Sequence, residues 1–365
     1  MLIAEVISFI EQLAPLDLQE NYDNCGLIVG NKNMELKSLT LCLDITEAII
    51  NEAVENGSNL IIAHHPIVFK GLKRINGNNF VERIVIQAIK NDIAIYAAHT
   101  NFDNLLRSGV NSKIAEKIGL QNCKILSPKK GVLKKLYTYV PVANAETVKN
   151  ALFESGAGNI GNYSECSFSC TGTGTFLGSD ASNPFVGVKG QRHHEEEVKM
   201  EVIFPDYLEN KILKGLVEAH PYEEVAYEVI TLDNQFNEVG AGMIGDLQQP
   251  VPTEDFLKSL KSSMKADCIR YTAIHQPFVQ RIAVCGGAGS FLLKNAIGAG
   301  ADVFVSSDFK YHEFFDADNK IIIADIGHFE SEQFTIELFY EILSQKFSIF
   351  AIHKTKLSTN PVNYL

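Results

Sequence analysis

The chain has 365 residues, is 46% hydrophobic and carries a formal net charge of −12. That length exceeds one comfortable core, so two domains are expected, and the acidic balance excludes a general nucleic-acid binder, since no excess of cations is available for phosphate contacts. Seven scattered cysteines with no Cys-x-x-Cys pair give no disulfide framework and point to a reducing cytoplasm; no apolar run reaches the length of a membrane span.

Leu2, Val6, Ile10 and Leu13 mark one face of a first helix that stops before Pro15. An acid within its apolar stretch and the absence of a basic leader make it a helix rather than a signal peptide. Ser38 to Asp44 reads as a strand, and Thr46 begins a helix closed near Gly57. A buried strand, Leu60-Ile61-Ile62-Ala63, runs into His64-His65-Pro66. A helix over about Phe80 to Lys90 follows, then a short apolar strand between Asp92 and Ala98 and a helix ending near Gly119. This alternation predicts an α/β layer with a largely parallel sheet.

Between roughly 127 and 235 the texture changes. Leu136 to Val142 and Val198 to Phe204 alternate as strands, Phe176 and Val186-Gly187 with surrounding glycines suggest strands and turns between them, Ala145 to Glu154 and Tyr207 to His220 are helical, and Val225 to Leu232 is a last strand. The order β-α-β-β-α-β is the ferredoxin-like signature, so an α+β insert over 127–235 is expected to interrupt a core of 1–126 and 236–365. Within it, Arg192-His193-His194-Glu195-Glu196-Glu197 has no apolar strand before it and reads as a solvated hairpin or loop. Cys166 and Cys170, without further soft ligands nearby, read as packing residues. His220-Pro221-Tyr222-Glu223-Glu224 reads as a helix end and turn.

The alternation resumes after about Gly240. A helix from Thr253 to Met264, a strand from Arg281 to Cys285, a helix from Ser290 to Gly298 and a strand from Asp302 to Ser306 lead to a buried run, Lys320 to Asp325. A helix then begins near His328. The fold class is therefore α/β: two halves of similar layout forming one core around the insert.

Chemistry gathers at the strand ends, where open α/β sheets place their ligands. Neighbouring residues on a regular strand face opposite ways, so His64 and His65 serve one site only where the strand breaks, and Pro66 supplies that break. Taken alone, such a pair is an ordinary turn feature. Asp103 follows the second site strand, and His328 and Glu332, four apart, share a helix face after the third. Imidazole with carboxylate suits zinc, iron or manganese, and five protein ligands exceed what one catalytic zinc takes. They fit two divalent ions bridged by a carboxylate, an arrangement that activates water for displacement at phosphoryl or carbonyl-like centres.

Six segments carry a family resemblance: Tyr22-Asp23-Asn24-Cys25-Gly26-Leu27, Ala63-His64-His65-Pro66, His99-Thr100-Asn101-Phe102-Asp103, Cys285-Gly286-Gly287-Ala288-Gly289-Ser290, Ser307-Asp308-Phe309-Lys310-Tyr311-His312 and Gly327-His328-Phe329-Glu330-Ser331-Glu332. In order and spacing the chain resembles the Nif-three-like dinuclear metal-centre family, also known as the GTP cyclohydrolase I type 2 family. Tyr22 stands where tryptophan is more usual. The resemblance implies dimetal ligands at His64, His65, Asp103, His328 and Glu332, the set reached from the strand ends. It also implies an insert similar to PII-type signalling proteins and copper-tolerance trimers, and a homohexameric toroid, as a dimer of trimers or trimer of dimers. GTP, or a related nucleotide or phosphate ester, is the implied substrate.

Further candidates surround this set. Gly286, Gly287 and Gly289 follow a strand and open a helix, the geometry that cradles phosphate on backbone N–H groups or makes a tight turn. Asp44 ends a strand and is a candidate for orienting a ligand imidazole. Asp308 with His312, an i, i+4 pair, and His99 are candidate proton-handling groups. The reading is a cytoplasmic dimetal hydrolase-like protein in which activated water attacks an electrophilic centre. Its competitor is a non-enzymatic, metal-loaded oligomeric sensor. Neither nucleic acid nor membrane is an expected partner.

Overall fold

A computed structural model describes residues 1–365. The chain first forms α1 (Ile3–Leu13), β1 (Gly26–Val29), β2 (Ser38–Cys42), α2 (Glu47–Glu55), β3 (Leu60–Ala63), α3 (Phe80–Lys90), β4 (Ala94–Ala97), α4 (Thr100–Asp103), α5 (Val110–Ile118) and β5 (Gln121–Lys130). Next come β6 (Leu133–Pro141), α6 (Ala145–Glu154), β7 (Ser167–Leu177), β8 (Arg192–Pro205), α7 (Glu209–Ala219) and β9 (Tyr227–Thr231). The last stretch holds β10 (Gln235–Pro252), α8 (Thr253–Ser263), β11 (Arg270–Tyr271), β12 (Phe278–Ala288), α9 (Leu293–Gly298), β13 (Val303–Ser307), β14 (Ile322–Asp325), α10 (His328–Glu332), α11 (Thr335–Lys346) and β15 (Ala351–Lys354). Two compact units result, Met1–Pro128 with Glu238–Leu365, and Lys129–Asn237.

The first unit contains two sheets of related design. One has the order β1-β4-β3-β2-β15, with β15, β2, β3 and β4 parallel and β1 antiparallel at the edge. The other has the order β11-β14-β13-β12-β10-β5; β12, β13 and β14 are parallel, β10 runs antiparallel to β12 and β11 antiparallel to β14. Parallel strands covered on both faces must be apolar throughout, which is why Leu60–Ala63 and Ala94–Ala97 are buried at every position. Ile49, Ile50, Ile61, Ile84 and Ile95 pack helices α2 and α3 onto this sheet. Each such buried side chain contributes about 1.5–3 kcal/mol. Side chains set the helix starts: Thr46 accepts from Ile49 N, and Asn79 accepts from Glu82 N. Gly119, left-handed at φ +83°, closes α5.

In the second unit the sheet order is β7-β8-β6-β9 with antiparallel pairs, and Leu136, Val140, Val148, Leu152, Phe204 and Leu216 form its core with α6 and α7. Arg192-His193-His194-Glu195 belongs to β8, antiparallel and in register with β7, so of the two expected forms it is the hairpin arm and not a loop. Along this run His193 and Glu195 are half-buried while His194 and Glu196 are exposed, so the charge conceals a period-two strand. Cys170 is exposed on β7 rather than packed, because β7 is an edge strand facing solvent along most of its length. The helix expected from Ser290 begins as a 3₁₀ turn, and α9 proper starts at Leu293. No helix is long and apolar enough to cross a membrane.

Candidate metal centre

Both sheets deliver polar residues from the carboxyl ends of their parallel strands. His64 and His65 leave β3 with backbone N–H groups still bonded to the carbonyls of Cys42 and Leu43, at 3.3 and 3.0 Å, so their positions are fixed by an extension of the ladder. Past the last paired residue of β3 the rings turn toward each other, with centroids 4.9 Å apart. His99 follows β4, Asp103 closes the single turn α4, and Asp44 lies just beyond β2. From the second sheet come Asp308 after β13, and His328 and Glu332 on α10 after β14.

The tautomers follow from acceptor-only partners. His64 Nδ1 donates to the Ala98 carbonyl at 2.9 Å, and His65 Nδ1 to Asp44 Oδ1 at 2.7 Å. His99 Nδ1 donates to Asp23 Oδ1 at 2.8 Å, and His328 Nδ1 to Asp308 Oδ2 at 2.7 Å. All four rings therefore keep their proton on Nδ1 when neutral, leaving Nε2 as the coordinating atom; holding the far nitrogen of a ligand imidazole in this way is the usual outer-shell arrangement.

The Nε2 atoms meet carboxylate oxygens in two groups. Glu332 Oε2 lies 2.9 Å from His65 Nε2 and 3.1 Å from His328 Nε2, and the two Nε2 atoms are 3.3 Å apart. Ligands on a tetrahedral ion with bonds of 2.0–2.1 Å are separated by about 3.3 Å. His64 Nε2 is 3.6 Å from both Asp103 Oδ1 and Glu332 Oε1. The ligand atoms of His64, Asp103 and Glu332, of His65, His328 and Glu332, and of His64, His65 and His99 form three groups within 4.8 Å. His64 Nε2 and Asp103 Oδ1 are buried with no hydrogen-bond partner. A buried polar atom left unmade costs about 1–3 kcal/mol, more where charged, and a cation between these two removes that cost. The donor set fits a metal.

Without an ion, protons take its place. Burial opposes charge on His65, but hydrogen bonds to Asp44 and Glu332 outweigh it and raise its pKa to about 10. His328 is half-buried, and against the cost of that partial burial hydrogen bonds to Asp308 and Glu332 raise it to about 11. Burial, reinforced by the Glu332 charge, lifts Asp103 to about 8. Glu332 is fully buried, yet the surrounding imidazoles hold its carboxyl well below the usual range.

The structure brings together His64, His65, His99, Asp103, His328 and Glu332, with Asp44 and Asp308 behind the imidazoles. It does not bring His312. Asp308 is left-handed at φ +58° and precedes a 3₁₀ helix, so the i, i+4 geometry of an α-helix never forms; Asp308 turns to His328 instead. His312 is exposed, stacked near Tyr311 and Phe315. Nor do Gly286, Gly287 and Gly289 make an open phosphate cradle. Gly286 N donates to Asn111 Oδ1 and Gly287 N to Ser331 Oγ, so these donors are consumed within the fold. Gly286 and Gly287 lie in β12, and Gly289 precedes only a 3₁₀ turn. The smallness of Gly287 serves the centre: a Cβ there would sit 2.5 Å from Glu332 Oε1.

Asp23 was not among the sequence-derived site residues, although it lies in a motif noted above. It takes His99 Nδ1 on one oxygen and Thr100 N, at 3.0 Å, and Thr100 Oγ1 on the other. Its pKa is held far down despite burial, chiefly by His99. Position after Tyr22 in irregular chain gave no periodicity to mark it.

An α/β protein with a buried imidazole–carboxylate centre able to hold metal is thus defined. The family model described as Duf34/NIF3 (NGG1p interacting factor 3) matches residues 1–361, and the chain belongs to that family. A Halalkalibacterium halodurans protein named "GTP cyclohydrolase 1 type 2 homolog" is 38% identical over 88% of this chain and 87% of its own length. A Bacillus subtilis protein of the same name is 35% identical over 99% of this chain and 98% of its own. Among solved structures, a Bacillus cereus protein related to NIF3 superposes with a TM-score of 0.86 at 39% identity, covering 100% of this chain and 99% of that one.

Proposed function

We propose that this chain is a dinuclear-metal-dependent, hydrolase-like protein acting on a nucleotide or phosphate ester. The observation that carries the reading is the sharing of Glu332: one oxygen faces His64 and the Asp103 side, the other faces His65 and His328. His64, Asp103 and Glu332 would hold one divalent ion, and His65, His328 and Glu332 a second, with zinc, iron or manganese suited to the donor mixture. Such a pair supplies Lewis-acid polarisation of a phosphoryl or carbonyl oxygen and lowers the pKa of water.

The chain's own groups orient and move protons. Asp44 and Asp308 keep Nδ1 protonated on His65 and His328, so both present Nε2. His99, tied to Asp23, is partly exposed and faces His64 and His65 with ring centroids 5.0 and 5.3 Å away; its Nε2 is the group to accept and return a proton. The names of the Halalkalibacterium and Bacillus relatives support GTP or a related nucleotide as substrate. A homohexameric toroid in a cytoplasm is proposed with it, and seven free cysteines suit that compartment.

The test is elemental analysis of freshly isolated protein, then a panel of nucleotides and phosphodiesters with and without Glu332→Ala. Turnover that disappears with the metal supports the reading. Full metal loading without turnover across the panel favours a metal-loaded regulatory protein instead.

A further inference from the structure

The residues after β15 run through an exposed segment in which Thr359 and Asn360 are half-buried while 356–358 and 361–365 are exposed. These two neighbours reach opposite halves of the centre. Thr359 Oγ1 donates to Asp44 Oδ2 at 2.8 Å, and the other oxygen of Asp44 takes His65 Nδ1 at 2.7 Å. Asn360 Nδ2 donates to Glu330 Oε1 at 3.0 Å. Glu330 is only 4% exposed and sits on α10 between His328 and Glu332. No other side chain donates to its carboxylate. The segment is anchored upstream, where Thr355 N donates to the Leu41 carbonyl and Lys356 N to Glu52 Oε1, both at 2.9 Å.

We propose that Thr359 and Asn360 are positioning residues for the metal centre: one fixes His65 of the first sheet through Asp44, the other fixes the ligand helix of the second sheet through Glu330. An aspartate with one oxygen on an imidazole and the other free can rotate and carry the ring with it. Thr359 removes that freedom without touching any ligand. Asn360 satisfies a buried carboxylate that would otherwise be drawn toward water, and α10 with it. Because the two donors are adjacent on one backbone, the spacing between His65 and the His328–Glu332 pair is set by a single short segment.

The inference rests on the metal-centre reading, and its test reads metal binding rather than turnover. Thr359→Val, Thr359→Ser and a chain ended after Leu357 are titrated with Co²⁺ against a chromophoric chelator, with visible spectra of the loaded proteins and melting temperatures of the metal-free ones. Thr359→Val is expected to weaken Co²⁺ binding roughly 10-fold and alter the spectrum, as loss of an outer-shell partner does, with Thr359→Ser restoring both. The shortened chain is expected to lose roughly 100-fold, while metal-free melting of the Thr359 variants stays within a few degrees. Wild-type binding and spectrum in Thr359→Val, or equal losses in the valine and serine variants, overturns the inference alone. A wild-type protein that takes up no Co²⁺ overturns the metal-centre reading, and this inference with it.

Discussion

Glu332 Oε2 stands 2.9 Å from His65 Nε2 although 267 positions separate the two residues. The contact joins α10, after the last strand of the second sheet, to the end of β3 in the first. Neither sheet holds a complete donor set: His64, His65 and Asp103 come from one half, His328 and Glu332 from the other. Glu332 is the residue on which both halves depend, and its removal is the severest single change the site can suffer. Glu332→Gln keeps the volume but removes the charge that both ligand groups share. Metal affinity is expected to fall by at least about 100-fold, beyond the loss typical of an outer-shell partner. Equilibrium dialysis against Zn²⁺ measures it; binding within threefold of wild type contradicts the shared role.

Metal uptake should expel protons. In the metal-free centre at pH 7, His65 with a pKa of about 10, His328 at about 11 and Asp103 at about 8 each hold a proton that an ion must displace. The Nδ1 protons of His65 and His328 remain on the rings, donated to Asp44 and Asp308. Full loading at pH 7 is therefore expected to release close to three protons per chain. Near pH 9 the number falls to about two, because Asp103 has already ionised. Calorimetric titration in buffers of different ionisation heat gives the number directly, and a value near zero at pH 7 contradicts this account.

How much of this was visible in the residue pattern depends on what kind of signal each group leaves. His64 and His65 followed Leu60–Ala63, and His328 with Glu332 followed a buried run, so an apolar strand ending in donors marked both. Asp103 was legible for the same reason. Asp23 was not, since it acts through a contact to residue 99 from a stretch with no period of its own. His312 was misplaced because i, i+4 spacing presumes an α-helix, whereas a left-handed Asp308 and a 3₁₀ helix intervene. Gly286, Gly287 and Gly289 were read as either a phosphate cradle or a tight turn, but Gly286 and Gly287 make room beside Glu332 and Gly289 beside Ser306, which only the folded arrangement shows. Strands β1, β5 and β10 were missed; glycines, and polar residues on exposed faces, blur their alternation.

Asp103 trades stability for binding. Burial raises its folded pKa to about 8, while an unfolded aspartate titrates near 3.9. Between these values the folded chain binds more protons than the unfolded one, so the metal-free protein loses stability as pH rises from about 4 to 8. Asparagine cannot ionise and escapes that loss. In chelator, the stability of Asp103→Asn relative to wild type should rise across this window and level off above pH 8, by about 5 kcal/mol in all, since each pKa unit between the folded and unfolded values is worth about 1.4 kcal/mol. With saturating metal the order reverses, since the variant lacks a ligand. Urea denaturation at pH 5 and pH 9 tests it; a difference that does not grow with pH rejects a raised Asp103.

Gly287 should tolerate no side chain. Its φ of +61° is a left-handed conformation, and the methyl of an alanine would lie 2.5 Å from Glu332 Oε1 and 3.3 Å from His328 Cε1. Glu332 is only 2% exposed and has no space to retreat, so either the strand shifts or the carboxylate leaves both ligand groups. Gly298 is the control: an added Cβ there meets nothing within 4 Å, and its φ is not left-handed. Gly287→Ala is expected to lower stability by about 1–3 kcal/mol, as overpacking does, and to lose metal in proportion to the displacement of Glu332. Gly298→Ala, at the end of α9, is expected to be neutral or stabilising by up to about 1 kcal/mol, with metal affinity unchanged. Melting curves with and without Zn²⁺ separate the two effects. Retained metal affinity in Gly287→Ala would show that Glu332 has a second position from which to serve both ligand groups, and the close approach of β12 to the centre would lose its explanation.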